Sequence, residues 1–402
     1  MFNLERFINE YVTKRPESMF LADIEDNKAA LTKKIQGKSI LVIGGAGSIG
    51  SSFVKAVLPF MPGELCIVDT NENALAEQTR DLRSSYGKYM PDTYLSYPMD
   101  YSSPVFKRMY RNHKGFDIVA NFSAHKHVRS EKDIFSIEAL LRNNVINAKG
   151  LLDLLSEFPP EEYFCVSTDK AANPVNIMGA SKRIMEDLIF SYSDDFPVKT
   201  ARFANVAFSN GSLPDGFLSR MKKLQPLGAP SDVRRYFVSP IESGQICMLS
   251  CMLGDNREIF FPKLEEAQMM RFDEIAEKLL TENGYEVIKC SSDEEAIEKA
   301  KDLQNGSKKY PVHFSGSETS GEKAYEEFFT DEENVDMARL KALGIITGKA
   351  LTDRKAVQKL IEDLTDIFEN ENATKDKVVS RISDYLPNFN HIETGKSLDN
   401  KL

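Results

Sequence analysis

The chain has 402 residues, 42% hydrophobic and 28% charged, with a formal net charge of −10 and five cysteines. This is the composition of an ordinary globular enzyme, with length for two domains or for one large domain with additions. The negative charge argues against a general nucleic-acid surface or adhesion to anionic membranes. No run approaches the roughly 18 apolar residues of a membrane span, and the opening MFNLERFINEYVTKRP mixes charge into its apolar positions, unlike a signal peptide. The expectation is a cytoplasmic protein with no membrane span. Cys66, Cys165, Cys247, Cys251 and Cys290 lack zinc spacing and are expected to be buried thiols, with no structural metal.

Residues 1–36 read as helical pieces ahead of the first domain. Phe2, Leu4, Phe7, Ile8 and Tyr11 recur at helical spacing and need a surface, either the core or a second subunit. Lys38–Ile43 is the first predicted strand. Gly44, Gly47, Ser48, Ile49 and Gly50 follow it and open a helix running through Ser51 to Leu58. Glycines at this spacing let the backbone approach a pyrophosphate, whose charge a helix N-terminus favours. The second strand, Leu65–Val68, ends in Asp69, nineteen residues after Gly50, where an acidic residue hydrogen-bonds an adenosine ribose. Asp69 repels a 2′-phosphate, and Thr70-Asn71-Glu72 offers no arginine to bind one, so the expected cofactor is NAD rather than NADP. Asn71 joins the candidate cofactor contacts.

Thr93–Tyr97 is the third strand. Beyond it Asp100 either accepts from the adenine amino group or caps the helix near Ser103, and Tyr101 lies beside it. Asp117–Phe122 is the fourth strand, followed by Ser123, Ala124, Lys126 and His127 at a strand's carboxyl end. Ser123, Ala124 and Lys126 are candidate cofactor contacts. Lys126 and His127 face phosphate or sugar, unless they belong to an exposed loop. Asp133–Phe158 reads as one long helix containing Asn143-Asn144, a pair that caps, meets solvent, or touches the cofactor loop through Asn144.

Ser167 to Glu186 carries the densest chemistry. A short apolar strand, Tyr163–Ser167, ends in Thr168, Asp169 and Lys170. Asn173-Pro174 breaks the chain, and helical spacing runs from Gly179 to Phe190. At the carboxyl end of a parallel strand these side chains face a ligand crevice. Met178 and Lys182, four apart, share one face of the following helix.

Val198–Phe203 is the sixth strand. Asn205 to Pro214 is rich in amide and hydroxyl groups, and Asn205, Val206, Ser212 and Phe217 are candidate substrate contacts. Arg235, within Arg234-Arg235-Tyr236-Phe237, suits a nucleotide diphosphate and its base, unless the arginines lie on the surface. Here the alternation of strands and helices loosens and a substrate region is expected to begin. Phe272–Leu280 and Ser292–Asp302 are predicted helices, and Gly321 starts another. Thr352 is the predicted N-cap of a helix with the stripe Val357, Leu360, Ile361, Leu364, Ile367 and Phe368. Glu369–Lys377 reads as a connector and His391–Leu402 as a polar, mobile end. The expected organisation is a helical extension (1–36), an NAD-binding Rossmann domain of doubly wound α/β type (37–208), a smaller α/β substrate region (209–345) and a C-terminal helical extension (346–402).

These residues resemble the extended short-chain dehydrogenase/reductases, and within them the polysaccharide-biosynthesis nucleotide-sugar dehydratases, such as UDP-N-acetylglucosamine 4,6-dehydratase, over roughly residues 37–345. The similarity rests on Gly44, Gly47 and Gly50, on Ala124 to Val128 with one histidine inserted, on Ser167 to Ala171, Met178 to Lys182, Arg202 to Val206 and Gly321 to Glu327. It departs at Met178, where short-chain dehydrogenases usually carry tyrosine and one dehydratase subgroup shares the methionine, and at Thr319 and Ser320, where the family has arginine and proline. UDP is therefore the default nucleotide and GDP stays open.

The resemblance implies NAD-dependent 4,6-dehydration of a nucleotide-activated N-acetylhexosamine, serving surface-glycan or nonulosonic-acid-type sugar synthesis. The rivals are a C4 epimerase or reductase of the same fold and a non-catalytic NAD-binding regulator. It implies Lys170 as C5 base, Asp169 as acid for the C6 hydroxyl, Thr168 on the C4 oxygen and Lys182 on the nicotinamide ribose, with Met178 unable to take a proton. A homo-oligomer is expected from the apolar helical ends.

Overall fold

The computed structural model describes residues 2–126, 131–316 and 326–392. Its main sheet starts with six parallel strands: β1 (Ser39–Ile43), β2 (Glu64–Asp69), β3 (Thr93–Pro98), β4 (Ile118–Asn121), β5 (Glu162–Thr168) and β6 (Val198–Phe203). Segments such as Ile40-Leu41-Val42-Ile43 are apolar at every position because helices cover both faces. From one edge the order runs β6, β5, β4, β1, β2, β3. The direction of winding therefore reverses between β1 and β4, which opens a crevice above their carboxyl ends.

The sheet does not stop at β6. Glu258–Pro262 adds in parallel beside it, Leu343–Thr347 pairs antiparallel with that strand, and Asn334–Asp336 lies antiparallel at the edge. The loosened alternation after Asn205 thus hides strands that return to the same sheet. A smaller three-stranded parallel sheet is built from Leu227–Pro230, Lys309–Ser315 and Glu286–Lys289. It packs with the helices Leu213–Lys222 and Phe272–Glu282 around a second apolar cluster that includes Phe208, Phe217, Leu227 and Leu279.

Both extensions find their partners within the chain. Phe7, Ile8 and Val12 are buried in the second cluster, and Arg15 anchors the segment on the buried Glu242, with N–O distances of 2.7 Å. Val357, Leu360, Ile361, Leu364 and Phe368 join the large core around the main sheet.

Three expectations shift. The helix expected over 133–158 is three pieces, Ile134–Leu141, a π-helical turn Arg142–Ile146 and Asn147–Leu155. The cap of Arg354–Glu369 is Asp353, whose carboxylate accepts from Lys355 N, and not Thr352. The connector after Glu369 ends early, because Thr374 caps a further helix, Lys375–Tyr385. All five cysteines are free and buried.

Candidate active site

The glycine loop is fixed by contacts that admit no side chain. Gly44 has φ +68°, and a Cβ there lies 2.7 Å from Ser123 N. A Cβ on Gly50 lies 2.4 Å from Gly44 O. The loop is thereby pressed against the segment after β4, and the helix Ser48–Val57 against the loop. Gly47 is the N-cap of this helix and supplies no side-chain acceptor, so the first-turn N–H groups stay available to an anion. Asp69, at the end of β2, accepts from Ala46 N at 3.0 Å and from Asn71 N at 2.9 Å, so its carboxylate sits beside the loop. Ile49 is half-buried against the core, and the Ser48 hydroxyl accepts from Asn210 N at 2.8 Å, tying the loop to the segment that follows β6. An N-terminus without a capping side chain and an adjacent acidic residue fit a dinucleotide.

Other candidate cofactor residues have structural duties. Asp100 accepts from Ser102 N and Oγ at 2.7 and 2.8 Å, while Ser103 caps the helix Pro104–His113. Tyr101 is buried and its hydroxyl donates to Asn143 O at 2.7 Å, which makes it a packing residue rather than an exposed contact. Asn71 caps Glu72–Ser85. Ser123 N donates to Asn121 Oδ1, and Ser123 and Ala124 are half-buried beside Lys126. Asn144, buried in the π-helical turn, accepts from His125 N and donates to His125 O, both at 2.9 Å, and to Ser181 Oγ at 3.0 Å. It clamps the segment after β4 to the helix Ile177–Phe190. The widened turn is what aims a mid-helix side chain at that segment. His127 lies outside the described residues.

At the end of β5 the three predicted groups meet. Thr168 Oγ1 donates to Asp169 Oδ1 at 2.7 Å, and Lys170 Nζ donates to the two Asp169 oxygens at 3.1 and 3.2 Å. Asp169 is 3% exposed, while the Lys170 side chain keeps 27% of its surface. Met178 is buried in the first turn of the helix Ile177–Phe190, which Asn176 caps, and its N–H donates to Glu131 Oε1 at 2.9 Å. Lys182 is also buried. Its ammonium donates to Val166 O at 3.1 Å, facing β5, and burial lowers it to about 8.

Of the substrate candidates, Asn205 donates to Glu326 Oε1 at 2.5 Å and Val206 pairs in a short strand with Val238. Arg235 is buried and donates to Arg234 O at 2.9 Å, so it is no surface arginine. Ser212 caps Leu213–Lys222. Phe217 is corrected: its ring is wholly inside the second apolar cluster, because the helix turns that side inward.

Sequence reasoning missed two features around the site. Arg202 is wholly buried between Glu186 and Glu333, donating to both oxygens of each at 2.7–3.0 Å and to Phe328 O at 2.9 Å. Glu186 also accepts from Ser167 Oγ at 2.6 Å. The other is a strap: Asn390 N donates to Pro174 O at 3.3 Å and Ile392 N to Val175 O at 3.0 Å, across the turn that separates Lys170 from Met178. The Arg202–Val206 and Gly321–Glu327 motifs signalled importance but not an ion network. Residues 321–325, Thr319 and Ser320 lie outside the described residues, and Glu326 and Glu327 are in irregular backbone.

The parallel sheet, the glycine loop and the β5 cluster define the fold of a short-chain dehydrogenase/reductase. Residues 40–347 match the polysaccharide biosynthesis protein family, and the chain belongs to it. It is 27% identical over 345 residues to the probable polysaccharide biosynthesis protein EpsC of Bacillus subtilis, covering 84% of this chain but 52% of EpsC, so the chain spans about half that relative's length. It is 26% identical over 264 residues to a UDP-N-acetylglucosamine 4,6-dehydratase (inverting) of Campylobacter jejuni, covering 63% of this chain and 74% of that protein. Among solved structures, Pen from Bacillus thuringiensis superposes with a TM-score of 0.62 at 18% identity, over 82% of this chain and 98% of that one. DesIV from Streptomyces venezuelae, a dTDP-glucose 4,6-dehydratase with NAD bound, gives 0.51 at 18% identity, over 69% and 88%. No helix among the described residues is long and apolar enough to cross a membrane.

Proposed function

We propose that the chain is an NAD-dependent nucleotide-sugar 4,6-dehydratase acting on a UDP-linked N-acetylhexosamine, with GDP as the alternative nucleotide. The observation that carries this is the Thr168–Asp169–Lys170 cluster beside Met178. An epimerase, a reductase and a dehydratase all move a proton at C4, for which tyrosine serves and methionine does not, so Met178 alone does not choose among them. A dehydratase needs an additional base at C5 and an acid at C6, and Lys170 and Asp169 supply an amine and a carboxylate within hydrogen-bond distance of each other. The similarity to the Campylobacter dehydratase supports the same reading.

NAD, when bound, supplies the hydride acceptor for C4 and the donor for C6, so it is used without net consumption. The helix N-terminus at Gly47 suits its pyrophosphate and Asp69 its adenosine ribose. Lys182, buried and lowered to about 8, holds a basic group under the end of β5. Thr168 orients the C4 oxygen, and Asp169 takes the C4 hydroxyl proton, directly or through water, and gives it to the departing C6 hydroxyl. Lys170 takes the C5 proton, acidified by the C4 carbonyl, and returns it. The partially exposed Lys170 tip meets the sugar, while Asp169 beneath it is shielded from water.

The test is incubation with UDP-N-acetylglucosamine in deuterated water, followed by mass spectrometry. Loss of one water with one deuterium at C5 is the expected result. An isomer of unchanged mass would establish an epimerase, and unreacted sugar with retained NAD a non-catalytic binder.

A further inference from the structure

Residues 205–212, which follow β6, touch both halves of the site. Their start is paired: Asn205 N donates to Tyr236 O at 3.1 Å and Ala207 N to Val238 O at 2.9 Å. At their end Ser212 caps Leu213–Lys222, and Asp215 in the first turn of that helix accepts from Gly211 N at 3.0 Å. Lys126 lies within the field of Asp215, whose attraction opposes the lowering of its amine by burial. A cation and a helix start therefore border the segment, which suits a diphosphate. Between the two ends lie two left-handed residues, Phe208 at φ +55° and Gly211 at φ +73°. Glycine adopts that region freely, whereas a bulky residue stays there only where its surroundings hold it. The Phe208 ring is buried in the second apolar cluster and meets Phe7 edge-on, with 5.9 Å between centroids and 82° between planes. On its other side the segment is tied to the helix of the glycine loop, because Asn210 N donates to Ser48 Oγ at 2.8 Å. We propose that Ser48 is a positioning residue that couples the two ligands: with the dinucleotide pyrophosphate in place, its hydroxyl holds residues 207–212 in the form that receives the nucleotide diphosphate. This rests on the dehydratase reading and gives the cofactor a second task besides hydride transfer.

A serine hydroxyl accepts and donates at once. The Ser48 oxygen is used by Asn210 N, and among the described residues its hydrogen has no acceptor. Ser48 is also the first residue of the helix Ser48–Val57, whose N-terminus suits the pyrophosphate. A hydroxyl that donates to an anion becomes a better acceptor, since successive hydrogen bonds polarise one another. The bond from Asn210 N to Ser48 is therefore stronger with the pyrophosphate bound than without it. A ligand shifts a conformational equilibrium only through such a difference between two states. The first state is the observed segment, with Phe208 left-handed and Asn210 on Ser48. The second is a relaxed segment in which Phe208 takes an ordinary φ and Asn210 leaves Ser48. Strain at Phe208 keeps the second within reach, and the Phe7 contact holds the first. Because the same segment carries Asn205 and Ser212 towards the substrate, occupancy of one ligand site is felt at the other. Coupling of this kind is reciprocal, and a single hydrogen bond sets its size at about fivefold.

The experiment dialyses the full chain to equilibrium against radiolabelled NAD, with and without saturating UDP or GDP, and reads the NAD dissociation constant from the bound label. Neither nucleotide carries a sugar, so no turnover intervenes. In the wild type the bound nucleotide is expected to tighten NAD about fivefold. Calorimetric titration of the same nucleotide into NAD-loaded and NAD-stripped chain should return the same factor. Ser48→Ala should still bind both ligands, with the factor reduced to about one, and Ser48→Thr, which keeps the hydroxyl, should restore most of it. A wild-type factor near one would overturn the proposal whether or not the variants fold. So would a Ser48→Ala chain that binds NAD more weakly but keeps the wild-type factor, because Ser48 would then be a cofactor contact and nothing more. A chain that binds NAD but neither UDP nor GDP would overturn the nucleotide-sugar reading and the coupling with it. Binding of both ligands without coupling removes the proposal alone, which separates the two failures.

Discussion

Arg202→Met tests the architecture behind the site. Arg202 is fully buried and makes five hydrogen bonds, four of them to Glu186 and Glu333. Methionine fills most of the volume but leaves Glu186 without its bidentate partner; Ser167 and the longer contact to Arg183 at 3.5 Å remain. Glu333 keeps Lys349. Removing one partner of a buried pair costs about 3–5 kcal/mol. Two carboxylates lose that partner at once, so the upper part of that range is expected, about a thousandfold in the folded-to-unfolded ratio.

The loss has a pH signature. Burial alone would raise Glu333, but its hydrogen bonds and attraction to Arg202 bring it down to about 2. A depressed carboxylate contributes stability that is present above its unfolded value of about 4.3 and is lost as pH falls through about 2. The variant keeps only the part that Lys349 supplies, and its two carboxylates, without Arg202, gain by taking up protons. The gap between variant and wild type should therefore narrow as pH falls from 7 towards 4.5. Urea unfolding followed by far-ultraviolet circular dichroism at both pH values measures it, the chain having no Trp. A loss under about 1 kcal/mol at pH 7, or a gap that stays constant with pH, would refute the reasoning.

Lys170→Met should stop dehydration, with a drop of about 10²–10⁴ in rate, yet permit C4 oxidation, so that enzyme-bound NADH accumulates in single-turnover absorbance. C5 deuterium exchange near the wild-type rate would remove Lys170 from the mechanism. Purified protein should carry NAD(H), not NADP(H), on chromatography of the denatured supernatant, and Asp69→Ala should weaken NAD retention without unfolding the chain. Met178→Tyr is expected to keep substantial dehydration and to speed the first oxidation, at a stability cost of about 1–3 kcal/mol for overpacking a buried position; a misfolded variant by circular dichroism would make Met178 a packing residue only.

Most of the six parallel strands were legible because they are short, mainly apolar runs punctuated by glycine or a polar turn, although β3 and β6 also carry polar residues, Ser96, Lys199 and Arg202 among them. β6 falls at the predicted bounds, Val198–Phe203. The glycine loop and the Thr168–Asp169–Lys170 cluster were legible because backbone approach and strand-end placement are local properties. What lay beyond reach is non-local. Glu326 meets Asn205 across more than a hundred residues, and Arg202 reaches Glu333 across a similar gap; periodicity says nothing about such pairs. The π-helical turn was hidden because its sequence keeps ordinary helical apolar spacing while one added residue per turn redirects Asn144. Phe217 was misread because proximity in sequence to Asn205 and Ser212 says nothing about which face of its helix looks inward.

The placement of the two extensions has a consequence for how the chain is assembled. Phe7, Ile8 and Val12 complete the cluster built mainly from residues 207–312, whereas the stripe of Arg354–Glu369 completes the core founded by β1 to β6. Each unit thus waits for a segment from the far side of the sequence. During synthesis the Rossmann strands emerge before the helix that covers them, and the first helical residues wait for a surface made some two hundred residues later. Expressing residues 37–208 alone should therefore yield an aggregating fragment with uncovered apolar surface, while co-expressed halves that retain both extensions should find one another.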